Sequence, residues 1–343
     1  MTKRVLKIRK ISRSPKEREV LLERIMKKNT FRWAMYGHLK KELGDGRTVW
    51  AINQSDIFYK GITDDLLSLQ KNRGFKFHRF VIRPHVVSSQ AACFNLFLPI
   101  MKSHHAVEIL KAVRPDLAKI DDTHIREGFT FEYWGDIIQD VGSKGLLNDH
   151  SPVAGTDADF ALSYIDTEGN HCLWLVEHKL TEMEFTQCNV VHGGKHIDCI
   201  EKCKEESVQA LLDAPEKCYY CGTLKYRYWE LTKRYIDAFP NIDYHAIGCP
   251  FADGMCQLWR NVLLAKAAQE AYGYDKVYFS VVKPKDNICL DDSIAAFNAI
   301  VDKNMFSVFC PESLVDEASR FADDFTRDWV KWYRKTYIEY EPL

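Results

Sequence analysis

The stretch that most constrains this chain is residues 157–180, DADFALSYIDTEGNHCLWLVEHKL. FALSYI and CLWLVEHK have the apolar and aromatic content of strands, and DTEGN between them has the Asp, Gly and Asn of a tight turn. Residues 159–179 therefore read as a β-hairpin. Its second strand is apolar from Cys172 to Val176 and ends in Glu177 and Lys179, while Asp157 and Asp159 head the first. Burying charge is costly unless the charge is paired or used, so four charges at neighbouring strand ends mark a solvated edge or a site. Glu177 and Lys179 are two apart and share a face, and the hairpin brings Asp159 across from them. An Asp and a Glu converging in this way suit Mg²⁺ or Mn²⁺, which bind through one or two carboxylates together with waters and substrate phosphate. A neighbouring lysine can orient or deprotonate a water, or offset charge on a pentavalent phosphate. These are the parts of metal-assisted phosphodiester hydrolysis.

The rest of the chain reads as α/β. Residues 15–28 look helical, and FHRFVIRPHVV (77–87) reads as a strand. Ser88 can cap a helix over AACFNLFLPIM, which Pro99 should kink or end. FTFEYWG (129–135) and KVYFSVV (276–282) read as strands. Helical periodicity marks 224–239, 256–272, the region from 291, and 313–337. Helices alternating with a hairpin and further strands predict a central mixed sheet.

Composition excludes some classes. Net charge is −1, so no global basic field points to nucleic acid, but the first 28 residues carry eleven Lys and Arg against three Glu and could track phosphates. No apolar stretch suits a signal peptide or a bilayer span, which predicts a cytoplasmic protein without membrane partners. Eleven cysteines in such a chain argue for thiols or metal ligands over disulfides.

TDADFALSY…LWLVEHKLTE resembles the PD-(D/E)XK nuclease superfamily, in which an Asp opens one strand and (D/E)-x-K closes the next. The matching positions are Asp159, Glu177 and Lys179. The proline of the family name is missing directly before the Asp. SSQAACFNLFLPI, KLTEMEFTQC and CQLWRNVLLA are similar to segments of bacterial restriction-endonuclease-like proteins, and the likeness spans roughly residues 85–285. It implies a restriction-endonuclease-like core at 85–290, with a Cys-rich insertion at about 186–252. A basic N-terminal region (1–84) and a C-terminal helical region (291–343) flank that core. It also implies a Mg²⁺- or Mn²⁺-dependent DNA endonuclease of restriction or phage-defence type that acts as a homodimer. A further polar residue from the helix or strand before the hairpin would complete the site, with Gln90, Asn95 and Glu132 as candidates. A repair or recombination exonuclease on the same chemistry is the nearest alternative. A non-catalytic nucleic-acid-binding protein with a thiolate metal site is another.

The insertion holds Cys188, Cys199, Cys203, Cys218, Cys221 and Cys249. Cys218-Tyr-Tyr-Cys221 is a C-x-x-C, but no second one completes a zinc ribbon. In some nucleases that the chain resembles, widely spaced cysteines hold an iron–sulfur cluster beside the active site. The resemblance points to Cys188, Cys218 and Cys249, with the fourth ligand taken as Cys203 and Cys199, Cys221 or Cys256 as the other choices. Zinc and iron–sulfur are not separable by this pattern. LKYRYWELTKRY (224–235) interleaves bases and aromatics, so Lys225 and Arg227, with Arg260 of QLWRN, are expected to contact nucleic acid.

Overall fold

A computed structural model describes residues 15–135, 144–151, 155–188, 190 and 204–341. The hairpin is its centre: β3 (Ala158–Asp166) and β4 (His171–His178) pair antiparallel. Asp166 closes the turn, its Oδ1 accepting the backbone N–H groups of Glu168 at 2.9 Å and Asn170 at 2.8 Å, and Gly169 supplies the positive φ of 88° that the reversal needs. Two short strands, β1 (Leu117–Ile120) and β2 (Phe129–Tyr133), pair antiparallel with opposite ends of β3. On the other side β4 pairs parallel with β5 (Lys276–Val282), and β5 with β6 (Phe306–Phe309). The result is the expected mixed sheet, six-stranded, in the order β1-β3-β4-β5-β6 with β2 beside β3.

Helices cover both faces, which is why β4 is apolar on both sides. On one face α2 (Ser89–Lys102) packs against Phe160, Leu162, Trp174 and Val176, with Phe97 stacked on Phe160 at 4.1 Å. On the other, α3 (Cys256–Tyr272) covers Leu173, Leu175, Phe279 and Val281. The chain ends join the first layer: Phe31, Met35 and Leu39 of α1 (Pro15–Leu43) share its core with Trp329, Tyr333 and Tyr337. Among the described residues no helix is long and apolar enough to cross a membrane.

Three local expectations need revision. Ser88 caps α2, its Oγ accepting the Ala91 N–H at 3.2 Å, but Pro99 does not break the helix, which runs on to Lys102. Pro99 cannot bond the carbonyl four residues back, and the Trp329 indole N–H donates to that Asn95 carbonyl at 2.8 Å instead. Residues 77–87 are not a strand. Arg79–Ile82 forms one helical turn with His78 as its cap, Pro84 lacks the N–H a ladder needs, and the only strand-like pairing described there is a single bridge between Trp50 and His85. The strands β1 and β6 lie where no strand is expected from sequence, each four residues long.

Candidate active site

The register of the sheet sets three carboxylates in a row. Phe131 pairs with Phe160 and Tyr133 with Ala158, so Glu132 stands opposite Asp159. Phe160 pairs with Val176, and the next position sets Asp159 against Glu177. Glu132, Asp159 and Glu177 thus lie side by side on β2, β3 and β4, with Lys179 two residues beyond. Glu132 has a left-handed backbone, φ 52°. That conformation costs a residue with a Cβ about 1–2 kcal/mol, and such strain persists where surrounding structure enforces it, often at functional sites.

Each group is held by specific partners. The Asp159 Oδ2 accepts the His178 backbone N–H at 2.6 Å, which ties the two strand ends together. Glu177 is 2% exposed and Lys179 8%. Their ion pair is 2.8 Å long, and the Lys179 backbone N–H donates to the Val282 carbonyl at 2.9 Å. From α3, Gln257 donates to Glu177 Oε1 at 2.7 Å and Asn261 to Oε2 at 3.0 Å. Asn261 is fully buried, and its own Oδ1 has no partner among the described residues. Gln90 hydrogen-bonds Glu132 and is itself fixed by the His78 N–H at 2.8 Å and the Lys76 carbonyl at 3.0 Å.

The electrostatics follow from three neighbouring carboxylates, two of which, Asp159 and Glu177, face the Lys179 ammonium. Burial, then repulsion from Glu177 and Glu132, hold Asp159 well above the ordinary carboxylate range, only partly offset by Lys179 and the His178 N–H. Burial and Asp157 push Glu132 up to about 8, against the Gln90 hydrogen bond. Burial alone would lower Lys179, but Glu177, Glu182 and Asp159 raise it, so it is an ammonium. Even the thiol of Cys93, buried on α2, is raised first by burial and then by all three carboxylates. A row of hard oxygen donors in mutual repulsion beside an unpartnered amide oxygen fits a divalent cation by its chemistry. As they stand, no three acidic, imidazole or thiol groups among the described residues are close enough together to grip an ion, so the carboxylates would have to draw in.

Of the residues singled out from sequence, Asp159, Glu177, Lys179, Glu132 and Gln90 are brought together. Asp157 is not in the row and instead meets His150 Nε2 at 3.0 Å. Asn95 is structural: it accepts the Tyr59 N–H and donates to the Ile57 carbonyl and the Tyr337 hydroxyl, all within 2.9 Å. Gln257 was not foreseen. Its signal was the i, i+4 spacing of Gln257 and Asn261 in QLWRN, which puts two amides on one helix face.

The cysteines form a second locus. Cys188, Cys218, Cys249 and Cys256 line one cavity of about 200 Å³ together with Tyr220 and Trp259. Cys221 adjoins them, its thiol held below the ordinary cysteine range chiefly by a hydrogen bond with Cys218. Burial pushes Cys256 up to about 11 and holds Cys249 well above the ordinary cysteine range, Cys218 adding to the latter. Cys199 and Cys203 lie outside the described residues. The three cations expected to contact nucleic acid all have protein partners. Lys225 donates to the Gly222 carbonyl at 2.6 Å. Arg227 bonds Glu230 and the Leu146 carbonyl. Arg260 bonds the Cys256 carbonyl and Tyr228.

Residues 22–338 match a family model described as Restriction Endonuclease associating with ARP. No curated protein and no solved structure gives a match.

Proposed function

This chain belongs to that restriction-endonuclease family, and from this premise we propose that it is a divalent-metal-dependent DNA endonuclease of restriction or phage-defence type. The observation that carries the reading is the row Glu132, Asp159 and Glu177 on three adjacent strands with Lys179 paired to Glu177. Asp159 and Glu177 would hold Mg²⁺ or Mn²⁺. When bound, such an ion polarises the scissile phosphate and lowers the pKa of a water beside it. Lys179 stays protonated, orients the attacking water and offsets charge on the phosphate. Gln257 and Asn261 fix the Glu177 carboxylate, and Gln90 fixes Glu132, which offers a further oxygen or accepts a proton. The family's description also pairs it with ARP, and association with such a partner is part of the proposal. Metal-dependent conversion of a supercoiled plasmid to nicked or linear forms tests the reading.

The raised carboxylates give the metal a pH signature. A carboxylate whose pKa is raised on folding binds more protons folded than unfolded, so the metal-free protein loses stability as pH rises from the usual value of 4.5 towards about 8. Bound Mg²⁺ displaces those protons and restores what was lost. The rise in Tm on adding Mg²⁺ should therefore grow between about pH 6 and pH 8, and scanning fluorimetry across that range checks it. A shift that is absent, or constant with pH, would separate these carboxylates from metal binding.

At the cysteine corner we place a thiolate metal centre, iron–sulfur or zinc, on Cys188, Cys218 and Cys249. Cys256 is the fourth ligand favoured by the cavity lining. Protein purified without oxygen should carry near-stoichiometric iron and sulfide, or zinc, by elemental analysis. Cys218→Ser with Cys249→Ser should lose it and melt several degrees lower. Metal-free parent protein would remove this part of the proposal.

A further inference from the structure

Between α1 and the start of α2 the surface carries aromatic rings where a soluble domain would ordinarily place polar groups. Trp33 is 59% exposed and Trp50 38%. They belong to one connected cluster. Trp33 meets Tyr36 at 5.9 Å, Tyr36 meets His85 at 6.2 Å, and His85 meets Trp50 at 4.8 Å and Phe80 at 5.0 Å.

The charges within this cluster are of one sign. The Arg83 guanidinium lies 5.3 Å from the Trp50 ring, that of Arg79 4.9 Å from Phe80, and that of Arg32 5.4 Å from Tyr36. Arg79 and Arg83 are exposed, and no carboxylate among the described residues pairs with either. Arg32 also has a buried Nε without a partner among the described residues.

Both ends of the cluster are tied to the carboxylate row. At one end His78, 5.1 Å from Phe80, donates its backbone N–H to Gln90, the residue that bonds Glu132. At the other, Arg32 contacts the Met183 sulfur at 3.0 Å, on the loop that leaves Lys179.

We propose that this face binds an unpaired DNA strand next to the scissile phosphate, with Trp33 and Trp50 stacking on bases and Arg79 and Arg83 on the backbone. The chemistry selects that occupant. Exposed rings stack on bases whose faces are open, which a continuous duplex does not offer, and arginines without carboxylate partners suit phosphates. The substrate class is thus DNA with a single-stranded segment, such as an overhang, a fork or a splayed nucleotide. The inference rests on the nuclease reading for its placement beside a cut, but its test is binding, not cutting.

The experiment is fluorescence anisotropy in the Asp159→Asn background, with a DNA oligonucleotide, the same sequence as a fork, the blunt duplex, and the RNA strand. The first two should bind about tenfold or more tighter than the duplex. Trp33→Ala with Trp50→Ala should remove that preference, a loss of about tenfold for each stacked base, with little change on duplex. Both tryptophans are exposed, so the variants should melt like their parent. Abasic sites in the strand should copy the double substitution. Equal affinity for strand and duplex, equal losses on both, or tighter binding of RNA would overturn the proposal. Selective strand binding with no cleavage by the parent protein would leave this face standing and remove the nuclease reading.

Discussion

Asp159→Asn should abolish metal-dependent cleavage while leaving the protein at least as stable as its parent. The two effects have one cause. Asp159 is held well above its ordinary range by burial and by Glu177 and Glu132, so its charge strains the metal-free protein. Asn keeps an oxygen for the His178 N–H that Asp159 now accepts at 2.6 Å but brings no charge to the row. The strand-end bond survives, the repulsion falls, and the cation loses a ligand. Loss of several kcal/mol of charge stabilisation at the phosphate corresponds to at least about a thousandfold in rate. Single-turnover cleavage and a melting curve on the same preparation check both halves. A variant that cuts normally would take Asp159 out of the site, and one that loses activity only by unfolding would make its role structural.

Lys179→Ala should lose both activity and stability. Lys179 is the ammonium that offsets Glu177, Glu182 and Asp159, and its pair with Glu177 is buried. Removing one partner of a buried pair costs about 3–5 kcal/mol, because the charge left behind is uncompensated, and Gln257 and Asn261 supply only neutral donors to it. Activity should fall by about a hundredfold or more from loss of the group that orients water and offsets phosphate charge. The double variant Glu177→Gln with Lys179→Met separates the roles: it should regain most of the lost stability and none of the activity. Recovery of cleavage in that double variant would place the chemistry elsewhere.

The central hairpin was legible because its signals are local. DTEGN closes on its own Asp166, and the strands on either side are read from composition. Glu177 and Lys179 follow from period-two alternation, and Asp159 from the pairing a hairpin enforces. Glu132 could be named as a polar residue breaking an apolar strand, but its place opposite Asp159 depends on the register between β2 and β3, and the sequence between them carries no register signal. The amides that hold Glu177 were harder to read. Gln257 reaches Glu177 from a helix 80 residues away in sequence, and only packing brings α3 against β4. The turn at 79–82 misled because its apolar residues are strand-like, and the competing cue, Pro84, sits at its far end. Pro99 misled for the opposite reason: the break it should cause is repaired by Trp329, a partner far off in the chain. Asn95 shows the same limit, since a buried amide in FNLF reads alike whether it serves a site or, as here, three backbone and hydroxyl partners.

The most direct test is cleavage of supercoiled plasmid by the purified protein with Mg²⁺, with EDTA, and by Asp159→Asn with Mg²⁺. The arrangement of Glu132, Asp159, Glu177 and Lys179 predicts nicked or linear product only in the first reaction. Cutting that persists in EDTA or in Asp159→Asn would contradict a metal-dependent site at this row.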